Sequence, residues 1–580
     1  MRHVLLCRML FAAAVLLPPA HALAADPTHV PSAHPKSPGV VAPTVLSPEL
    51  AEVIRAQGAM RLENPVSPAK YYGYNDDKPN HVPIPPLFNS EAHKTEPDKN
   101  TYLRLSGQRG ADPNYDYGHD FLFQGHESGV DGQGYITRIN LAADGGHRVT
   151  LMATKDVTGK SLPVFDGSTW YPWAQRLLFT FEGGNAGGVW QATLDVPSKV
   201  EDISGALGRG GYEGIQADLD GNLWIVEDVG GATGAVNSHA RRPNSFVFRF
   251  KPYDPKDLLG GGGKLQVLAV YSLQPAGGII LFNSATADAD ILSADVMDLH
   301  TYGKVFKTKW VTIHDTATNG KDPFDANKLA KGKGTPFKRP ENGVFRPGTH
   351  FREFFFTETG DTNALTEAAS AFGGFGGLFK LSQRHPSDDD GSLTLFFRGD
   401  VAHTGFDNIQ FWSKDKLVSV EDGGDTLHTQ RNALDSAYMF DVRKDYSDPA
   451  NQPIRILAQG RDPSATIDAG SPGLGNDGDN EITGFHVSNG DPSVGGIPRG
   501  QEPAAVRGRL ARLLHPAARR QRDVGDHSES VDGRGRAHAR PRRRRPRLAP
   551  ERQDGGGAPA PPPAPQRPAV NAIILLAERR

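Results

Sequence analysis

The chain has 580 residues with 64 Lys+Arg and 67 Asp+Glu, so its formal net charge is -3 at pH 7. A hydrophobic content of 37% is enough to build a core, which excludes an intrinsically disordered protein. The 66 Gly and 45 Pro favour many short strands and turns over a helical bundle. The first 497 residues hold 59 acidic and 45 basic side chains, and an acidic body argues against nucleic acid as a partner.

Residues 1–25 predict a secretory signal peptide. A basic start is followed by an apolar run and by the small-x-small cleavage motif Ala22-Leu23-Ala24. The run is too short to span a bilayer, and no other stretch is long enough, so we expect an exported protein, periplasmic or secreted, with no membrane span. Cys7 is the single cysteine and lies in this peptide, so the mature chain is expected to have no disulfide and no thiolate metal ligand.

Residues 26–100 are predicted to be a flexible leader that contains one short helix. The first part, to about residue 46, is rich in Pro, Ala, Ser and His. Residues 47–64 predict an amphipathic helix, because Ser47 is a suitable N-cap and Pro48 suits the first helical position. The remainder is Pro-rich and irregular, so we expect a short helical and irregular arm before the main domain.

Residues 101–497 are predicted to form an all-β domain. Short runs of β-branched and aromatic residues recur along it, among them TYLRLSG, QRLLFTFEG, SFVFRFKP and EFFFTETGD, and Gly, Asp and Asn bound most of them. A long series of such strands with few helices is typical of a sandwich, a barrel or a propeller.

Residues 498–580 form a tail of different composition. The tail holds 19 Arg, no Lys and no aromatic residue, and it contains PRRRRPR and PPPAPQRP. One interpretation is a disordered basic-proline segment. The other is an out-of-frame translation of a GC-rich gene, which the lack of lysine and the abrupt break within a strand motif favour. In either case we assign the tail no function.

An internal repeat favours the propeller. Each copy has an acid, an apolar residue or two, a turn, and a hydrophobic strand that ends in another acid. The copies span residues 166–182, 213–228, 341–358 and 407–422, and a fifth begins at Glu481. The segment FLFQGHESG, with His126 and Glu127, is a degenerate earlier member. Repeats of strands tens of residues apart are the signature of a β-propeller.

The repeated acids are candidate metal ligands. The innermost strands of a propeller converge on its axis, so acids at one place in each repeat would face one another. Carboxylates at close range need multivalent cations, and oxygen ligands favour hard ions such as Ca²⁺. The alternative is that these acids are solvated residues of strand-end turns. The candidate ligands are Asp166, Glu182, Glu213, Asp228, Glu341, Glu358, Asp407, Glu421 and Asp422.

Arg339 stands next to one of these acids in the segment Arg339-Pro340-Glu341. A guanidinium beside a multi-cation site is suited to hold two oxygens of a phosphate, so we predict Arg339 as the catalytic residue. The alternative is an ordinary ion pair.

Several segments of residues 102–496 resemble the PhoX-type alkaline phosphatase family of exported bacterial propeller enzymes. They are FDGSTWYPWAQRLLFTFEGG, GYEGIQADLDGNLWIVEDVGG, KRPENGVF with FFFTETGD, GFDNIQFWSKDKLVSVEDGG, and EITGFHVSNGD. The resemblance implies a six-bladed propeller with a calcium and iron cluster at one end of its channel, which hydrolyses phosphomonoesters through a metal-bound oxide or hydroxide. Carried over to this chain, it makes Arg339 the phosphate-binding residue, Glu341 a calcium ligand, and the other metal ligands Glu182, Glu213, Asp228, Glu421 and Asp422.

The chain departs from this family at two cysteines. The family has one iron-ligating cysteine upstream of the Pro-Trp motif and another cysteine before a Glu pair, whereas Asp166 and Phe181 stand near those places here. We therefore hypothesise that Asp166 replaces the thiolate in an all-oxygen site for Ca²⁺, with Fe³⁺ or another hard metal as a second ion.

The resulting prediction is an exported, monomeric, metal-dependent phosphatase that acts on a small phosphorylated substrate. Two alternatives remain open: a non-catalytic, calcium-stabilised propeller that binds a partner, and a calcium-dependent lactonase-like hydrolase.

Overall fold

Antiparallel sheets make up most of the regular structure in the computed structural model of the chain. The structure describes residues 27–32, 44–50, 53–73, 95–460, 482–488 and 511–513, with single gaps at 57, 59, 96, 128 and 131. The predicted signal peptide and nearly all of the predicted tail lie outside these residues.

Three short strands precede the main domain: β1 (Val45–Leu46), β2 (Arg61–Val66) and β3 (Ala69–Tyr71). The hairpin of β2 and β3 contradicts the helix predicted over residues 47–64. Its Leu62 is buried against the first large sheet, and Asn64 Nδ2 donates to the Leu151 carbonyl at 2.9 Å. Packing against another part of the chain therefore overrides the local helical pattern.

The first two large sheets are four-stranded meanders. Their strands are β4 (Pro97–Arg104), β5 (Asp120–His126), β6 (Ile136–Asn140) and β7 (Val149–Ala153), then β8 (Ser168–Tyr171), β9 (Arg176–Phe181), β10 (Gly188–Ala192) and β11 (Val200–Asp202). The first of these strands begins four residues before the domain start predicted at residue 101.

The third and fourth meanders are joined into one nine-stranded sheet. Their strands are β12 (Tyr212–Ala217), β13 (Leu223–Glu227), β14 (Val247–Pro252), β15 (Gly263–Val270), β16 (Phe306–Asp315), β17 (Gly343–Phe345), β18 (Glu353–Glu358), β19 (Gly377–Ser382) and β20 (Asp390–Arg398). The long strand β16 pairs with β15 on one side and β20 on the other, so it links the outer edges of the two meanders.

The fifth sheet contains β21 (Phe406–Ser413), β22 (Lys416–Glu421), β23 (Ser436–Asp441) and β24 (Ile454–Ala458), and β1 adds a fifth strand at its outer edge. A sixth sheet is described by two short strands, β25 (His486–Ser488) and β26 (Ala511–Leu513).

The first strands of the sheets form a closed ring. Along the chain β4 lies beside β8, β8 beside β12, β12 beside β17, and β17 beside β21, while β25 lies between β21 and β4. Six groups of strands around an axis, each with its first strand innermost and with the third and fourth joined through β16, are a six-bladed β-propeller. The predicted all-β propeller is therefore confirmed, and we call each group of strands with its loops a blade.

Apolar side chains fill the wedges between neighbouring blades. Between the third and fourth blades, the buried Trp224 packs edge-on against Trp310 and Phe345. At the sixth position, Ile482 and Phe485 pack with Trp412 of the fifth blade. Apolar side chains thus pack between the blades, whereas the first strands around the axis carry buried polar side chains.

The helices among the described residues are short and lie in the connections between strands. They are α1 (Ser204–Leu207), α2 (Leu258–Gly261), α3 (Ala287–Ile291), α4 (Ala294–Leu299), α5 (Thr316–Asn319), α6 (Ala326–Ala330) and α7 (Gly424–Arg431), with 3-10 helices at Gly145–His147, Gly184–Ala186 and Ser370–Phe372. Within the described part of the chain, no helix has the length and apolar character that a membrane crossing needs.

Candidate metal centre

One acid stands at the same place at the start of the first strand in each of the first five blades. The strand registers align these five positions. The residues are Asp98, Asp166, Glu213, Glu341 and Asp407, and all are at least 95% buried. The equivalent acid of the sixth blade, Glu481, lies outside the described residues.

A second position at the axis directly follows the second strand of each of the first five blades. Acids occupy it in four blades: Glu127, Glu182, Asp228 and Asp422. In the fourth blade the residue is Thr359, whose hydroxyl donates to Glu341 Oε1 at 2.7 Å. These acids are more exposed than those of the first strands, so the mouth of the axial site lies where the second strands end.

Seven of these carboxylates form two compact groups. We call Glu182, Glu213, Asp228 and Glu341 the main acidic group, and Asp98, Glu127 and Asp166 the second acidic group. In each group one oxygen from every residue lies within 4.8 Å of the others. Ligand oxygens lie about 2.4 Å from Ca²⁺, so oxygens on opposite sides of the ion are about 4.8 Å apart. The oxygens of each group are therefore close enough together to contact one Ca²⁺ ion.

Three buried oxygens in these groups receive no hydrogen bond from an N–H or hydroxyl group of the described residues: Asp98 Oδ1, Asp166 Oδ1 and Glu182 Oε1. Their carboxyls adjoin other carboxyls, Asp98 beside Asp166 and Glu182 beside Glu213. A buried polar atom without a partner costs about 1–3 kcal/mol, and a charged one more. One cation in each group would satisfy these oxygens, so the residues present fit hard metal ions. The donor set is all oxygen, which favours Ca²⁺ and is compatible with Fe³⁺.

Burial disfavours the charged form of these carboxyls, and repulsion between neighbours adds to this effect. The two together raise the pKa values of Asp98, Asp166, Glu182, Glu213 and Glu341. Burial, with repulsion from Asp228, raises the pKa of Glu127 to about 7. Burial, with repulsion from Asp435, raises the pKa of Asp422 to about 7. The site without metal therefore holds protons that a cation must displace.

Arg339 lies within the main acidic group. Its Nε donates to both Asp228 oxygens at 3.0 Å, and its Nη2 donates to Asp228 Oδ2 at 2.7 Å and to Glu341 Oε1 at 3.1 Å. Burial opposes its charge, but Asp228 and Glu341 outweigh burial and raise the pKa of Arg339 further. Its backbone has a φ of 59°, a left-handed conformation that costs a non-glycine residue about 1–3 kcal/mol and is found at functional sites.

Lys99 is the second cation at the axis, and it was not among the site residues predicted from the sequence. Burial lowers the pKa of Lys99 to about 8, although the negative charges of Asp407, Asp98 and other acids act to raise it. Asp98 was missed as well, because the predicted domain began after it. The sequence did contain a signal: Pro97-Asp98 precedes a strand run as Phe165-Asp166 does in the next blade.

Two predicted ligands are not brought to the axis. Glu358 Oε2 contacts His300 Nε2 at 2.7 Å, and its Oε1 accepts from the Lys338 backbone N–H at 2.6 Å. Glu421 accepts from Arg431 Nη1 at 2.9 Å and from the Ser436 N–H at 3.0 Å. Successive side chains of a strand point to opposite sides, so the residue after each of these faces the axis instead. We remove both from the set of ligands.

Two other predicted ligands lie at the axis but in neither acidic group. Asp407 is buried beside Lys99 and accepts from Asn408 Nδ2 at 3.0 and 3.1 Å. Asp422 interacts with Arg339 and Asp435.

No family model matches this chain, and no curated protein matches it. The solved structures that show some likeness include the periplasmic gluconolactonase PpgL of Pseudomonas aeruginosa, at 13% identity over 70% of this chain and 97% of that chain, with a TM-score of 0.27. They also include Sqt1 of Chaetomium thermophilum bound to the N-terminus of ribosomal protein L10, at 8% identity over 72% and 82% of the two chains, with a TM-score of 0.30. Structural similarities this weak assign neither a fold nor a function to the chain. The propeller fold is shown instead by the sheet order and the ring of first strands described above.

Proposed function

We propose that this chain is an exported, metal-dependent phosphatase that hydrolyses small phosphomonoesters at a carboxylate-bound calcium cluster on the propeller axis. The observation that carries the proposal is the contact of Arg339 with Asp228 and Glu341, two members of the main acidic group. A guanidinium that shares its carboxylates with bound cations lies where one phosphate can contact both.

The chain's own residues have separable tasks in this proposal. The main acidic group would hold Ca²⁺, and the second acidic group would hold a further hard ion, Ca²⁺ or Fe³⁺. Bound cations supply charge neutralisation of the phosphate and activation of water. Arg339 would orient the phosphate through the N–H groups of Nη1, since its Nε and Nη2 donate to Asp228 and Glu341. Thr359 fixes Glu341 by its hydrogen bond, so that the carboxylate keeps its direction.

The exposure of the site fits a small substrate. Asp228 and Arg339 are each 8% exposed at the mouth, whereas Asp98 and Glu341 are 2% exposed. This limited exposure suits a small phosphorylated substrate better than a large one. We further propose that the chain acts as a monomer in the periplasm or outside the cell, where millimolar calcium can fill sites of modest affinity.

One observation favours a second candidate, a calcium-stabilised propeller that binds a partner without catalysis. Three hydrogen bonds already tie Arg339 to Asp228, as in a structural ion pair. In that case the metal cluster would hold the blades together, and Arg339 would stabilise the fold through its ion pair with Asp228. The lactonase-like alternative stays a prediction.

Hydrolysis of p-nitrophenyl phosphate by the full chain, with and without Ca²⁺, tests the proposal. We expect calcium-dependent turnover that chelator abolishes, and a fall of about 100-fold or more in Arg339→Ala, because a charge-stabilising donor is lost. Arg346→Ala is the matched control, since Arg346 pairs with Glu353 and Asp415 away from the axis and should keep full activity. Tight calcium binding without turnover would select the binding propeller instead.

A further inference from the structure

The side chain of Lys99 crosses the propeller axis. Lys99 belongs to β4 of the first blade, and its Nζ donates to Asn342 Oδ1, directly before β17 of the fourth blade. In a ring of six blades the first and fourth are opposite each other. A lysine that is 95% buried therefore joins two opposite walls of the channel.

The ammonium of Lys99 lies among acids from four blades. Asp98, Asp166, Glu213 and Asp407 all act on its charge. Of these four acids, Asp407 belongs to neither acidic group. Asn342, which accepts from Lys99, also contacts Asp407, with 3.5 Å between Asn342 Nδ2 and Asp407 Oδ1. A buried carboxylate needs a counter-charge, and at this point of the axis the chain supplies one itself.

We propose that Lys99 is a resident cation that takes the place of a metal ion beside Asp407. Calcium is thereby confined to the main and second acidic groups. This inference rests on the calcium cluster of the proposed function, but it concerns the number of ions bound and not the reaction.

Calcium content per chain is the direct test. The full chain and Lys99→Met are dialysed against calcium buffer and measured by mass spectrometry of metals, and their melting temperatures are compared with and without chelator. We expect Lys99→Met to bind one additional calcium ion per chain and to show a larger calcium-dependent rise in melting temperature. The neutral methionine leaves the surrounding carboxylates without a counter-charge, so a further ion can enter.

Lys338→Met is the matched control. Lys338 is also buried, but its Nζ pairs at 3.0 Å with Asp361, which belongs to neither acidic group. We expect the calcium content of Lys338→Met to equal that of the unmodified chain, whatever its loss of stability. An equal or lower calcium content in Lys99→Met than in the unmodified chain would overturn the inference.

Asp407→Asn keeps the inference testable if Lys99→Met does not fold. We expect this variant to bind as many calcium ions as the unmodified chain, because Asp407 is neutralised by Lys99 and not by a metal. Loss of one calcium ion from Asp407→Asn would overturn the role of Lys99 while leaving the cluster intact. An unmodified chain that binds no calcium would overturn the cluster and this inference together.

Discussion

Adjacent acids at the ends of the second strands have different tasks. In the third blade Glu227 accepts from the Phe246 N–H at 3.2 Å and from Asn327 Nδ2 at 2.8 Å, inside the blade. The next residue, Asp228, contacts Arg339 at the axis. A shift of one residue along the chain thus separates a residue that stabilises the blade from a residue of the proposed metal cluster.

We therefore expect opposite effects on calcium content from two conservative substitutions, one at an acid inside a blade and one at an acid of the main acidic group. Glu421→Gln should leave the calcium content unchanged and lower the free energy of unfolding by about 1–3 kcal/mol, because an amide nitrogen cannot accept the Ser436 N–H. Glu213→Gln should lose at least one calcium ion. Metal analysis and urea unfolding in chelator measure both effects.

In chelator, Glu213→Gln should also be at least as stable as the unmodified chain, since it removes one of several mutually repelling buried carboxyls. Calcium loss in Glu421→Gln, or full calcium content in Glu213→Gln, would contradict the assignment.

At the scale of elements, the hairpin of β2 and β3 is an integral part of the first blade. Leu62, Ala69 and Tyr72 are buried in one cluster with residues of that blade, and Asn64 bonds to the Leu151 backbone in both directions. A segment predicted as leader and helix therefore covers the face of the first blade.

Leu62→Ala should lower the free energy of unfolding by about 2–5 kcal/mol, the usual range for a buried leucine replaced by alanine. Leu62 is 2% exposed, whereas Val66 of the same strand is 52% exposed. Val66→Ala is thus the control, and we expect it to change the free energy by about 0.5 kcal/mol or less. Denaturant unfolding monitored by tryptophan fluorescence checks both. Equal, negligible effects would show that the hairpin is a loosely attached leader.

The sequence predicted those elements whose pattern is local. The strands of the blades carry their own apolar and aromatic runs, and the repeat of acids predicted an axial cluster that contains Asp166, Glu182, Glu213, Asp228 and Glu341. The strand β2 could not be predicted in this way, because its partner Leu151 lies 87 residues along the chain. Glu358 and Glu421 were assigned to the axis because spacing alone does not show to which side of a strand end a side chain points.

For the whole molecule, the buried acids couple stability to pH. Carboxyls whose pKa values are raised on folding bind protons more tightly in the folded than in the unfolded chain. Their contribution to stability is full below the ordinary carboxyl pKa and is lost as the pH rises through about 7. In chelator, the melting temperature should therefore fall between about pH 5 and pH 8.

Calcium should reverse this trend. The ion binds the deprotonated carboxylates, so its affinity increases with pH and its stabilisation offsets the loss of bound protons. Calorimetry across this pH range, with calcium and with chelator, gives both curves. Parallel curves would show that the acids do not hold calcium.

The two acidic groups also have a shared place in the order of synthesis. Their seven residues all lie between residues 98 and 341, in the first four blades. A nascent chain thus presents every member of the two groups before β21 of the fifth blade has been made. The later blades, which bring Asp407 and Asp422 to the axis, therefore close the ring around ligands that the earlier part of the chain already carries.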